Sequence, residues 1–89
     1  MCRNIKPLFN FEPPVTGSEI HDAALQFVRK ISGFNSPSRA NEQAFNRAVE
    51  EITRAAKDLL DSLQTNTPPR DRQDFEAKAK ARAAQRYER

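Results

Sequence analysis

The sequence FNRAVEEITRAAKDLLDSL, residues 45–63, decides the fold. Its apolar residues return every three or four positions, which is the spacing that places them on one face of an α-helix. The residues of this stripe are Phe45, Ala48, Val49, Ile52, Ala56, Leu59, Leu60 and Leu63. Upstream, Ser36 is a suitable N-cap for a helix whose first residue is Pro37, although Ser38 is an alternative cap. We therefore predict a long amphipathic helix over residues 37–63.

A second, shorter apolar stripe precedes this helix. Its residues are Ile20, Ala24, Phe27, Val28 and Ile31. Thr16 and Glu19 have the spacing of a capping box at its start, and Gly33 is a suitable residue to end it. The sequence therefore predicts a helix over residues 16–32. Because only a short connection joins it to the helix at 37–63, we expect the two to pack as an antiparallel pair.

A third helix is predicted after a linker that contains prolines. Residues 64–70 include Pro68 and Pro69, which interrupt the helical pattern. Asp71 is a suitable N-cap for a helix over residues 71–88, and the many alanines of that segment favour the helix. Its apolar side is thin and consists of Phe75, Ala79, Ala83 and Tyr87. The sequence leaves open whether this helix docks lightly on the other two, packs on a partner or frays in isolation.

Residues 1–15 form an N-terminal arm rather than a helix. Pro7, Pro13 and Pro14 favour extended backbone in this segment. The arm also carries large apolar side chains, which are Leu8, Phe9 and Phe11. We expect the arm to lie across the helices and cover one end of their core. The predicted fold class is all-α, a single small domain over residues 1–89 with an antiparallel pair of long helices, an extended N-terminal arm and a third, basic C-terminal helix.

Composition restricts the class of protein further. A chain of 89 residues that is 37% hydrophobic, with a mean hydropathy of −0.83, supports one small core. Two glycines and no tryptophan argue against a turn-rich β-sandwich or barrel. The apolar runs are too short for a transmembrane helix or a secretory signal. A single cysteine excludes an intramolecular disulfide. We expect a cytoplasmic protein with no membrane contact.

Several strings of the sequence resemble a known family. They are MCRNIKPLFNFEPP at 1–14, ALQFVRK at 24–30, SGF at 32–34, PSRANE at 37–42 and TNTPPR at 65–70. Together they resemble a family of short bacterial proteins that is classed as a domain of unknown function. The resemblance covers nearly the whole chain. It implies a prokaryotic, cytoplasmic, stand-alone protein, and it implies no activity, ligand or site residue.

Cys2 is the candidate for covalent chemistry. If Met1 is removed, the mature chain begins with a thiol and an α-amine on neighbouring atoms, a pair that condenses with aldehydes or serves as nucleophile and base. The structural alternative is a small residue that packs against the core or is exposed. The chain has no other recognisable catalytic set, and His21 with one cysteine is too small a ligand set for structural zinc. We expect no metal and no cofactor.

Positive charge is concentrated in the last third of the chain. Residues 1–63 carry eight basic and eight acidic residues, whereas residues 64–89 carry seven basic and four acidic ones. The seven are Arg70, Arg72, Lys78, Lys80, Arg82, Arg86 and Arg89. Such residues can neutralise phosphates without reading a base sequence. One functional hypothesis is therefore non-sequence-specific nucleic-acid binding through the third helix, and the structural alternative is a solvated charged face.

Four phenylalanines lie outside the two main stripes and are candidates for an interaction patch. They are Phe9, Phe11, Phe34 and Phe75. Exposed apolar patches of this kind mark interfaces with other proteins, and the alternative for each of the four is a place in the core. The first functional hypothesis is accordingly a non-catalytic protein-interaction or self-associating module, with a second copy or another protein as its partner. Catalysis or electrophile sensing by Cys2 is the third hypothesis, after nucleic-acid binding.

Overall fold

The computed structural model describes residues 4–87, with side chains as far as Ala84. The chain is mainly helical. In order, its elements are β1 (Phe11–Glu12), α1 (Gly17–Ser32), a 3-10 turn (Arg39–Asn41), α2 (Glu42–Ser62), β2 (Arg70–Asp71) and α3 (Arg72–Tyr87).

Helix α1 begins and ends at the residues that its predicted capping box and its terminal glycine indicate. The Thr16 hydroxyl accepts a hydrogen bond from the Glu19 amide at 3.3 Å, and the Glu19 carboxylate accepts one from the Thr16 amide at 3.0 Å. This reciprocal pair is the predicted capping box. At the other end, Gly33 adopts φ 77° and its amide donates to the Arg29 carbonyl oxygen at 3.0 Å. A residue with a Cβ is strained in this left-handed conformation, which explains the glycine.

Helix α2 begins later than predicted. The prediction placed its first residue at Pro37 with Ser36 as cap, but the α-helix starts at Glu42. Ser38 caps the 3-10 turn before it, with its carbonyl oxygen accepting from the Asn41 amide at 2.9 Å. The tighter turn satisfies the first backbone groups locally, so the α-helix starts one turn further on. Because the apolar stripe begins only at Phe45, periodicity did not fix this boundary.

The core lies between α1 and α2. Ala24 and Val28 of α1 form one buried cluster with Phe45 and Val49 of α2. Leu25, Ala48 and Ile52 are partly buried around it. Ile20 extends the buried line of α1 by one turn. Part of each stripe found in the sequence therefore buries along one seam, whereas Leu59 and Leu63 at the end of the α2 stripe stay 57% and 43% exposed.

A two-stranded parallel sheet corrects the all-α prediction. Phe11 pairs with Arg70 and Glu12 pairs with Asp71, so the arm joins the linker before α3. Asn10 makes this possible: at φ 63° its side-chain amide donates to the carbonyl oxygens of Thr67 and Pro68 at 3.1 and 3.3 Å. Asparagine tolerates this left-handed conformation better than most residues. Strands of two residues leave no alternating pattern, so the sequence did not predict them.

Helix α3 docks through its first two turns. The Asp71 carboxylate caps it, accepting from the Asp74 amide at 2.8 Å. The Phe75 ring meets the buried Phe11 ring edge-on, with centroids 5.1 Å apart. Ala79 is half-buried, whereas the side chains of residues 80–84 are all exposed. The docking that the sequence left open is therefore confined to the start of the helix.

The molecule is a thin layer. Its principal extents are 44 × 40 × 15 Å, and its radius of gyration is 15.6 Å. A compact domain of this length has a radius of gyration of about 12 Å. No helix among the described residues is long and apolar enough to cross a membrane. One layer of helices leaves apolar faces that no second layer covers within residues 4–87.

Candidate interaction surface

Part of the apolar stripe of α1 is not covered by α2. Ile20, Ala24 and Val28 face the seam and are buried. Phe27 and Ile31 lie on the neighbouring line of the helix and stay 44% and 68% exposed. Both belong to the apolar stripe that the sequence predicted for this helix. Periodicity identifies an apolar face, but it does not show how wide a face the neighbouring helix covers.

A groove of about 300 Å³ opens beside the seam, next to the loop that joins α1 and α2. Phe34 stands at this end and is 41% exposed. The residues that line the groove are Val28, Ile31, Ser32, Phe34, Asn41, Ala44, Phe45 and Ala48.

A second groove of about 210 Å³ opens next to the N-terminal arm. The residues that line it are Ile5, Leu8, Ile20, Ala23, Ala24, Phe27, Ile52 and Ala56. The Asn4 amide donates to the Gln26 side chain at 2.7 Å, which fixes the start of the arm on α1 beside this groove.

The two grooves are neighbouring parts of one surface, which we call the apolar groove. On α1, Val28 of the first groove lies one helical turn from Ala24 of the second. On α2, Ala48 of the first groove lies one turn from Ile52 of the second. None of the described residues that line either part is charged, although 30% of the chain is charged. The surface is thus suited to contact with apolar groups.

A further cavity of about 370 Å³ lies between the arm and the adjoining ends of α1 and α2, and it shares Leu8 and Ile20 with the arm end of the groove. Its charged lining residues are Lys57 and Asp61, which stand one turn apart on α2. Their opposite charges balance, and the rest of the lining is apolar side chains, Asn10 and Gly17. This cavity gathers no set of groups that would polarise or attack a bound molecule.

The four phenylalanines predicted as an interaction patch do not form one surface. Phe11 is buried and Phe75 packs on it, so this pair holds α3 to the arm. Phe9 is half-buried and lines the cavity under the arm. Phe34 alone of the four lines the apolar groove. Phe27 and Ile31, which the sequence placed in the apolar stripe of α1, also line this groove.

Two of the seven basic residues are part of the packing. The Arg70 guanidinium lies over the Phe11 ring at 4.4 Å and the Phe75 ring at 5.1 Å, and it donates to the Phe9 carbonyl oxygen at 3.1 Å. Arg72 pairs with Glu19 of α1 and lies 3.9 Å from the Glu76 carboxylate. No feature of the sequence indicated these long-range contacts.

The other predicted basic residues are on α3 or beyond it. Lys78 pairs with Asp74 one turn before it, at 3.1 Å. Lys80 and Arg82 are exposed. The side chain of Arg86, the whole of Arg89, and Cys2 lie outside the residues that the structure describes. The described part of the basic surface is therefore small.

Glu19 is the described carboxylate whose pKa is clearly shifted. The Thr16 amide that donates to it, and the adjacent Arg72 guanidinium, hold the pKa of Glu19 below its usual value, and partial burial opposes them. The side chains of Glu19 and Arg72 are 24% and 21% exposed. Glu19 thus caps α1 and ties α3 to it, which is a structural role. Among the described residues, no three His, Cys, Asp or Glu side chains are placed to hold a metal ion.

The fold and the groove define a class: a small, mainly helical protein of one layer with an open apolar groove along its central helix pair. The chain belongs to the family described as an uncharacterized conserved protein, DUF2277, which matches it over residues 1–78. Comparison with curated proteins and with solved structures gave no match. The family match includes the arm, the helix pair and the docked start of α3. Lys80, Arg82, Arg86 and Arg89 lie beyond it.

Proposed function

We propose that the protein is a non-catalytic protein-interaction module and that the apolar groove is its contact surface. The observation that carries this proposal is the uncharged groove lining, with Phe27, Ile31 and Phe34 between 41% and 68% exposed. Burial of apolar surface contributes about 25 cal/mol per Å², so a partner that covers these side chains gains affinity from each of them. In this proposal α1 and α2 are an antiparallel scaffold that presents the groove.

Ala24, Val28 and Phe45 at the base of the groove belong to the core, whereas the exposed side chains above them support a role in contact. Exposed large apolar side chains are ordinary when they are scattered singly, but a contiguous patch is typical of an interface. Here the patch follows the seam and continues from the loop beside Phe34 to the arm beside Ile5. The whole of it also falls within the residues that match the family.

Nucleic-acid binding through α3 is supported less well. Arg70 and Arg72 contact rings and a carboxylate of the same chain, so they are engaged in the fold. Lys80 and Arg82 are exposed, but two cations release too few counterions for tight binding at physiological salt. Cys2-dependent chemistry rests on the sequence alone.

Site-specific photo-crosslinking tests the proposal. A photoreactive phenylalanine analogue is placed at Ile31 in the groove, with the same analogue at exposed Arg54 on α2 as the matched control. The experiment is run in bacterial cells, in the cytoplasm that the sequence predicts for the protein. We expect a discrete protein adduct from position 31 and none from position 54. Equal labelling at both positions, or no protein adduct at position 31, would contradict the proposal.

A further inference from the structure

We infer that the apolar groove is occupied by a second copy of this chain, in a two-fold symmetric dimer that stacks one helix pair on the other. The inference rests on the proposed function, because it names the partner that the groove takes. Three observations support it: the excess surface of the single chain, the single-layer architecture, and the matching shapes of the two walls of the groove.

The single chain exposes more surface than a stable monomer of its mass. Its accessible surface is 7268 Å², whereas the scaling for folded monomers gives about 5,300 Å² for 10.1 kDa. The excess of roughly 2,000 Å² is more than twice the roughly 800 Å² that each partner contributes to a standard interface. The single chain thus has more than enough surface for such an interface, and the exposed Phe27, Ile31 and Phe34 of the groove are part of that surface.

The described part of the chain also lacks a second layer. A helix buries one stripe, and domains become stable when two layers enclose a core. Here the layer is 15 Å thick, and the groove runs along its central seam. Two such layers packed at the usual helix spacing of about 8–10 Å form a four-helix arrangement with one continuous core.

The two walls of the groove complement each other in shape. On α1, Phe27 and Ile31 stand one turn apart and form a ridge. On α2, Ala44 and Ala48 stand one turn apart and form a flat wall. In a two-fold interface the same patch is used twice, so a ridge on one copy needs a low wall on the other. The ridge of each copy therefore packs on the alanine wall of its partner, with Ile31 beside Ala44.

The test compares the mass in solution of the full chain with that of two charge variants. Sedimentation velocity of the purified protein at about 100 µM should give twice the 10.1 kDa chain mass. Ile31→Lys and Ala44→Glu each place unpaired charges in the interface and should weaken the dimer by about 100-fold or more. Both positions are exposed in the single chain, so each variant should keep the wild-type circular dichroism spectrum. Arg54→Glu, away from the groove, is the control and should stay dimeric.

Mixing the two variants tests the contact itself. In a heterodimer, the Lys at position 31 of one chain faces the Glu at position 44 of the other, and the second contact of the pair is the unchanged Ile31–Ala44. The mixture should therefore recover the dimer that neither variant forms alone. A mixture that stays monomeric, or either variant alone remaining dimeric, would overturn the inference.

The outcome for the wild type separates this inference from the proposed function. A wild-type chain that stays monomeric, together with a crosslink from position 31 to a different protein, overturns the dimer and leaves the interaction module standing. A monomer that gives no crosslink at position 31 overturns both.

Discussion

At the scale of single residues, Glu19 connects two parts of the fold. Its backbone amide and carboxylate complete the capping box of α1, and the same carboxylate pairs with Arg72 at the start of α3. One side chain thus fixes where α1 begins and where α3 docks. The capping pattern was visible in the sequence as Thr16 followed by Glu19, but the partner 53 residues away was not.

We predict that Glu19→Gln separates these two roles. Glutamine serves in a capping box, so α1 keeps its start, but the charge that attracts Arg72 is lost. At pH 7 the free energy of unfolding should fall by about 1 kcal/mol, as measured by urea denaturation. The matched control is Glu51→Gln, because Glu51 pairs with Arg47 in an exposed i,i+4 ion pair and should matter less.

The stability difference between wild type and Glu19→Gln should also depend on pH. The pKa of Glu19 is lowered in the folded chain, so its charge stabilises the fold above the unfolded-state pKa of about 4.3. This contribution is lost as the pH falls through the lower, folded-state pKa. The difference in stability between wild type and Glu19→Gln should therefore be full at pH 7, shrink below the unfolded-state pKa and vanish only below the folded-state pKa. A difference that persists at acid pH would show that the charge is not its cause.

At the scale of elements, α3 is a helix of two unequal parts. Its first two turns carry the cap, the ion pair to Glu19 and the Phe75–Phe11 contact. Residues 80–84 expose every side chain. A short helical segment without tertiary contacts is only marginally stable in water, so the docked part holds the rest in place.

We predict that truncation after Ala83 leaves the protein folded. Phe75→Ala, by contrast, should release α3 from the arm. The truncation removes no described buried side chain, so Tm should change by only a few degrees. Phe75→Ala removes the ring that covers Phe11 and should cost about 2 kcal/mol, or about 10 °C in Tm. Thermal denaturation followed by circular dichroism measures both. The opposite ranking of the two variants would show that α3 is held by its far end.

The elements also show what the sequence could and could not predict. Local signals were sufficient for α1, where the capping box and Gly33 act within a few residues of each end. They failed at the start of α2, where a 3-10 turn forms the first hydrogen bonds in place of the α-helix. They also failed at the two-residue strands, which depend on the hydrogen bond from Asn10 to Thr67. The groove was missed for a related reason. The sequence marks Phe27 and Ile31 as apolar, but only the path of α2 decides that they stay exposed.

At the scale of the whole molecule, the thin layer determines how a dimer must look. The single chain measures 44 × 40 × 15 Å, and the apolar groove lies along its central helix pair. A second copy stacked on the groove adds to the short dimension, whereas a copy attached at an edge adds to a long one. The two arrangements have the same mass and very different radii of gyration.

We predict that small-angle X-ray scattering gives a doubled mass with almost the same radius of gyration. Stacking two layers with centres about 10 Å apart raises the radius from 15.6 Å to only about 16–17 Å. An edge-to-edge dimer, with centres about 40 Å apart along a long axis, would reach about 25 Å, from the same geometry. Ile31→Lys should return the scattering mass to that of one chain and leave the radius near 15.6 Å. A doubled mass with a radius near 25 Å would place the contact on another face, and the groove would then need a different partner.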